Sequence, residues 1–291
     1  MDVVSGRRSP RLHIFSMEPL RPLSWRVDML AAFPSREHSL DQHAMVANLP
    51  TPLQDSLLMF LSSVFPKSSG EVVAALKSCW ERYPTSMRVK ELFETVEVFR
   101  LVSKQISLLQ KARGRPLTNI FDLCCGHGLL GVLLGYRFPA SSVVCCDLEE
   151  RDAFGHYVEA FRASGVPHRG GIGEADCMSN VAFVVGDMAS LVPAPCENSF
   201  VVCVHACNEA NIVALQLATA AGAGFAAMPC CVRDGLTEDS VRTHRVDDHT
   251  RHAVLCGAVA AKFGATLVTS ITPGITNRSL IFFGGFEAKK C

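Results

Sequence analysis

The sequence predicts an α/β fold: a seven-stranded, mostly parallel sheet with an antiparallel last strand, preceded by N-terminal helices. Two observations carry this. From Leu117 onward, short apolar runs alternate with helical stretches, the pattern of a parallel sheet covered on both faces. The last two runs are joined by Thr272-Pro273-Gly274-Ile275-Thr276-Asn277, too short for a crossover helix, so they pair antiparallel.

Residues 1–50 carry Arg7, Arg8, Arg11, Arg21 and Arg26 among prolines and serines, without sustained periodicity. They read as a disordered leader. Arg and Ser also suit an organelle transit segment, although Asp2, Glu18 and Asp28 count against it. Residues 51–115 read as a helical extension. One short helix is expected over Pro52–Pro66. A second, over Glu71–Tyr83, places Val72, Val73, Leu76, Cys79 and Trp80 near helical spacing. A third runs from Pro84-Thr85-Ser86 to about Ala112 with Leu92, Val96, Phe99, Val102, Ile106 and Leu109 on one stripe. Gly114 and Pro116 stop it.

Residues 116–291 are the α/β domain. Strands are expected at Asn119–Cys124, Ser142–Cys146, Val181–Val185, Phe200–His205, Gly224–Met228, Thr266–Ile271 and Ser279–Phe283. Helices are expected at Leu129–Phe138, Arg151–Ser164, Asn208–Ala221 and Ser240–Phe263. Gly165 to Asn180 is a Gly-rich connection, either a surface insertion or a lid.

Lys+Arg and Asp+Glu both total 28, so no bulk charge draws the chain to nucleic acid. No run is long and apolar enough for a membrane span. Most of the 13 cysteines sit in or at the ends of apolar runs, and no secretory signal precedes them. They read as small core hydrophobes in a reducing compartment, cytoplasmic or organellar and not secreted. Nothing in the sequence specifies an oligomeric state.

The chemistry-bearing stretch is Asp122-Leu123-Cys124-Cys125-Gly126-His127-Gly128-Leu129-Leu130-Gly131, followed by Val143-Val144-Cys145-Cys146-Asp147. A strand, a glycine turn, a helix and an acid ending the next strand build a nucleoside-cofactor pocket. Asp147 would take ribose hydroxyls in either a dinucleotide or a methyl-donor site. Asp122 discriminates: a diphosphate repels a carboxylate there, whereas the ammonium of S-adenosylmethionine gains a charge-assisted hydrogen bond. Gly186-Asp187-Met188 supplies an acceptor and an apolar neighbour for adenine.

These residues resemble the class I S-adenosylmethionine-dependent methyltransferases over about residues 117–286, with Cys124 standing where the D-x-G-x-G-x-G motif has its first glycine. The resemblance implies a Rossmann-like sheet, S-adenosylmethionine as cofactor and a methyl-acceptor partner. It implies cofactor contacts at Asp122, Cys124, Gly126, Gly128, Asp147, Leu148, Asp187, Met188 and His205. His205-Ala206-Cys207 and Pro229-Cys230-Cys231 look like a methyltransferase-domain group whose relatives include tRNA ribose methylases, which makes RNA the first acceptor to consider. Those relatives carry Gly where this chain has Asn208, and an acid near Asn211.

Strand ends converge on the ligand crevice, so His205, Cys207 and Cys230 are the catalytic candidates: His205 as base, or a Cys207 or Cys230 thiolate attacking a pyrimidine ring. No metal site is expected, because adjacent cysteines are awkward ligands for one tetrahedral ion. Arg233, Arg242, His244, Arg245, Arg251 and His252 interleave with acids and read as a mixed-charge helix face. A nicotinamide-dependent oxidoreductase and a non-catalytic binding module remain the other classes.

Overall fold

The computed structural model describes residues 28–65, 69–164, 177–236 and 243–285. Seven strands form one sheet: β1 (Asn119–Leu123), β2 (Ser142–Asp147), β3 (Val181–Val185), β4 (Ser199–Val204), β5 (Gly224–Met228), β6 (Leu267–Ser270) and β7 (Leu280–Gly284). Their spatial order is β3-β2-β1-β4-β5-β7-β6. The first five are parallel, and β7 runs antiparallel to both β5 and β6, as the short final connection requires. This is the Rossmann-like sheet expected from the sequence.

Among the described residues these helices accompany it: α1 (Thr51–Val64), α2 (Ser69–Arg82), α3 (Val89–Arg113), α4 (Leu129–Arg137), α5 (Asp152–Ala163), α6 (Glu209–Ala220) and α7 (Asp248–Lys262). Alternation along the strands divides the core between two faces. Ile120, Val143, Cys145, Phe200 and Val202 pack with residues of α1 to α5. Phe121, Leu123, Val144, Val201 and Cys203 pack with α6 and α7.

α3 begins at Val89, later than expected. Val46 N–H bonds to Met87 O at 3.0 Å and Val89 N–H to Ala44 O at 2.8 Å, so the preceding residues are held in an extended bridge. Gly114, at φ 66°, ends the helix as its C-cap. The ring of Phe93 on α3 lies 4.7 Å from that of Phe60 and 5.1 Å from that of Phe33.

That last contact corrects the leader reading over residues 28–50. Leu30, Phe33, Leu40, Val46 and Leu49 are buried, and Leu40 N–H bonds to Ile275 O at 3.2 Å. The apolar residues there lack a period because each fills a separate gap over α3 and the β6–β7 connection. Residues 1–27 lie outside the described residues, as do 165–176 of the Gly-rich connection and 237–242, which include the first three residues of the last expected helix. α7 itself starts where Asp247 accepts the Thr250 N–H at 2.9 Å. No described helix is long and apolar enough to cross a membrane.

Candidate functional site

The strand order reverses between β1 and β4, and the connections leaving them diverge to α4 and α6 on opposite faces. A crevice opens at their C-terminal ends. A cleft of about 380 Å³ lies there, lined by Asp122 and the 124–127 turn, Asp147, Arg151, the segment from Val204 to Cys207, and Glu91, Glu94, Thr95 and Val98 of α3. The helical extension is therefore one wall of the site.

The turn after β1 takes left-handed φ at three alternate positions: Cys124 (55°), Gly126 (56°) and Gly128 (74°). Two are glycine, for which this costs nothing, whereas Cys124 holds it with a side chain. Gly126 has open space where a Cβ would point, and it alone of the glycines lines the cleft. A Cβ on Gly128 would stand 2.6 Å from the Phe154 ring, so this glycine answers to packing beneath the turn. Gly131 lies against Cys145 Sγ and Asp122.

Backbone amides hold the two acids. Asp147 Oδ2 accepts the Gly126 N–H at 2.8 Å and Oδ1 the Leu148 N–H at 2.7 Å. Asp122, 1% exposed, accepts the Gly131 N–H at 2.9 Å. Burial pushes its carboxyl up to about 7, the Gly131 amide opposes the rise, and nearby Asp147 adds to it. Glu91 and Glu94 bring the lining to four carboxylates, with Arg151 the one Arg or Lys among the described lining residues; Arg88 and Lys90, outside the lining, pair with Glu91 at 2.9 Å and Glu94 at 3.4 Å and offset part of their charge. Such a cleft favours a cationic ligand and repels a phosphate.

His205, the residue after β4, sits at φ 57°, and Asn208 follows at φ 48°. With Cys124 they put backbone strain on the same edge of the sheet, where strain marks functional geometry. His205 Nε2 stands 3.2 Å from Glu94 Oε2, without hydrogen-bond alignment. Burial alone would raise the Glu94 carboxyl; His205, Lys90 and Thr276 outweigh it, and the group stays below the usual carboxylate range. His127 Nδ1 accepts the Leu129 N–H at 3.2 Å and its Nε2 lies 3.9 Å from Glu91. Burial lowers its pKa although Glu91 opposes this.

Cys207 lines the cleft, and its Sγ is 3.2 Å from that of Cys230. Cys230 and Cys231 are not strand residues. They lie in the loop after β5, half-buried and exposed respectively, which corrects their reading as core hydrophobes. The described cysteines are all free thiols. Leu148, Asp187 and Met188 lie outside the cleft lining, at the adjoining ends of β2 and β3. Leu148 is 76% exposed, and Asp187 caps a short turn by accepting the Ala189 N–H at 2.9 Å. Asn211 is buried, bonded to the Ala206 carbonyl and to the Cys203 thiol, and so locks α6 to β4. Arg233 and Arg251 pair with Glu209 and Asp234 as a mixed-charge face requires, and Arg278 pairs with Asp248; His252 departs from that reading, being buried with Nε2 2.9 Å from Pro229 O, and Arg242 lies outside the described residues.

Glu91, Glu94 and His127 had no assigned role in the sequence reading. The available signal was three acids, Glu91, Glu94 and Glu97, interleaved with the apolar stripe in the first half of α3. Their burial shows only once the helix is laid across the strand ends.

No protein-family model matches the chain. Over 44 residues, 15% of this chain, it is 30% identical to a release factor glutamine methyltransferase of Clostridium botulinum, and the match spans 16% of that protein. Among solved structures it is similar to magnesium protoporphyrin IX methyltransferase of Synechocystis PCC 6803 with bound SAH, at 15% identity over 77% of this chain and 97% of that one, TM-score 0.38. It is also similar to an O-methyltransferase family protein of Burkholderia thailandensis, at 16% identity over 79% of this chain and 70% of that one, TM-score 0.36.

Proposed function

We propose that the chain is an S-adenosylmethionine-dependent methyltransferase. The observation that carries this reading is the buried Asp122 carboxylate beneath the glycine turn, in a cleft with four acids and one arginine. A sulfonium with an ammonium suits that field; a dinucleotide diphosphate does not. Asp122 and the Gly126 backbone would hold the amino-acid end. Asp147 keeps lone pairs for ribose hydroxyls beyond the two amides it accepts, and Leu148, Asp187 and Met188 would flank the adenine further along the edge.

The bound cofactor supplies an electrophilic methyl carbon. Cys124 and the glycine turn orient it, and α3 excludes water from one side. Transfer of that methyl would require the acceptor to release a proton. His205 takes that proton, and Glu94 stabilises the resulting imidazolium. RNA is the acceptor implied by the sequence resemblance. The paired arginines near the mouth leave little free positive charge among the described residues for its phosphates.

Thermal shift with S-adenosylhomocysteine, NAD and NADP tests the cofactor. Stabilisation by S-adenosylhomocysteine alone is expected, and stabilisation by the dinucleotides alone would overturn the proposal. Labelled-methyl transfer to RNA, protein and small-molecule fractions then identifies the acceptor.

A further inference from the structure

Three thiols meet at the mouth of the cleft. β4 and β5 are parallel neighbours in register, Val204 beside Met228. Cys207 and Cys231 each follow their strand's last residue by three positions, so the two loops lie side by side, and Asn208 N–H bonds to Cys231 O at 3.2 Å. The Sγ atoms of Cys207 and Cys230 are 3.2 Å apart, those of Cys230 and Cys231 are 3.7 Å apart, and all three lie within 4.8 Å of one another. Sulfurs around a tetrahedral zinc ion, each about 2.3 Å from it, stand about 3.8 Å from one another. The sequence objection, that neighbouring cysteines point apart, applies to an extended strand. Cys230 and Cys231 leave β5 at Met228, and the loop turns both sulfurs the same way.

We propose that Cys207, Cys230 and Cys231 bind a zinc ion, with a fourth coordination position open toward the cleft. Cys207 lines that cleft, so a ligand in the fourth position would come from the cleft side. Three protein ligands with one open position are the arrangement of reactive rather than purely structural zinc. The soft sulfur set selects a thiophilic ion over magnesium or calcium. Binding releases the thiol protons to solvent and leaves zinc(II) unreduced, so no oxidant is needed. It also ties up Cys207 and Cys230 as ligands, which removes the ring-attacking thiolate considered from the sequence.

The test uses the full chain without a histidine tag, purified under a phosphine reductant. Metal content is measured by mass spectrometry, and cobalt(II) replaces zinc as a spectroscopic probe. About one zinc per chain and a thiolate-to-cobalt charge-transfer band with tetrahedral ligand-field intensity are expected. Cys207→Ser, Cys230→Ser and Cys231→Ser should each weaken retention by at least about tenfold. Cys196→Ser, an exposed thiol before β4, should retain wild-type metal content. Metal-free protein with an octahedral cobalt spectrum, equal retention in the three variants, or a Cys207–Cys230 disulfide in the reduced preparation would overturn the site. Should a variant fail to fold, wild-type alkylation mapping decides: zinc must shield these three thiols and leave Cys196 reactive. Binding of S-adenosylhomocysteine is measured in parallel, so loss of the metal proposal is separable from loss of the cofactor proposal.

Discussion

His205, at the end of β4, faces Glu94, a buried acid of α3, across 3.2 Å. One residue belongs to the sheet and the other to the preceding helical extension. The extension is thus part of the site, because it supplies the counter-charge for a proton carried by the strand-end histidine.

Glu94→Gln should keep the shape of the site and remove that charge. Turnover falls, and S-adenosylhomocysteine affinity changes little. His205→Ala should cost about a hundredfold or more in turnover. The Glu94 carboxyl lies below its ordinary range, so its stabilising effect is present above that range and disappears as pH falls through the folded value. Thermal melts of Glu94→Gln should therefore lie below wild type at neutral pH, by about 1–2 kcal/mol for a buried acid against a partly exposed histidine, and converge with it in acid. Equal melting at every pH would show that the pair contributes nothing.

The glycine turn separates backbone strain from packing. Gly126→Ala meets open space and bears only the left-handed penalty of about 1–2 kcal/mol. Gly128→Ala carries the same penalty and adds a methyl against Phe154, so it should be more destabilising and should be partly relieved by Phe154→Leu. A smaller loss for Gly128→Ala than for Gly126→Ala would contradict this placement.

Gly131→Ala has ordinary helical backbone, and its cost is packing alone. The new methyl would overlap Cys145 Sγ and crowd Asp122. A loss of about 1–3 kcal/mol is expected, with recovery in the Gly131→Ala, Cys145→Ala double variant. Denaturant melts of the four proteins in the cycle measure the coupling, and strict additivity would refute the contact.

The legible parts of the fold were those set by local pattern. Strand and helix positions from Asn119 to Phe283 follow from period and turn residues, and the reversal at β7 from a six-residue connection. Asp122, Gly126 and Asp147 were legible because strand, turn and strand are contiguous. Glu94 was not: its role depends on how α3 crosses a strand more than one hundred residues later. The three-thiol cluster was likewise hidden, because adjacency in sequence says nothing of which way a loop turns its side chains. Residues 28–50 were misread since their apolar residues answer to scattered tertiary gaps and carry no period.

Asp122 gives the sharpest test of the cofactor reading. Its folded pKa of about 7 lies well above an ordinary aspartate, chiefly through burial. In the ligand-free protein, stability should therefore fall as pH rises from about 4 to about 7, because ionisation is harder in the fold than in the unfolded chain. Asp122→Asn keeps an oxygen for the Gly131 amide and removes the charge, so it should melt higher than wild type above pH 7. A bound ammonium reverses the balance by stabilising the ionised form. Wild-type affinity for S-adenosylhomocysteine should thus weaken up to about tenfold per unit as pH drops below 7 and level off above it. Asp122→Asn should bind about 10- to 100-fold more weakly at pH 8, the worth of a hydrogen bond to a charged group, and lose the slope. Calorimetric titration at several pH values reads both effects. A pH-independent affinity, unchanged in Asp122→Asn, would mean that the ligand's amine sits elsewhere.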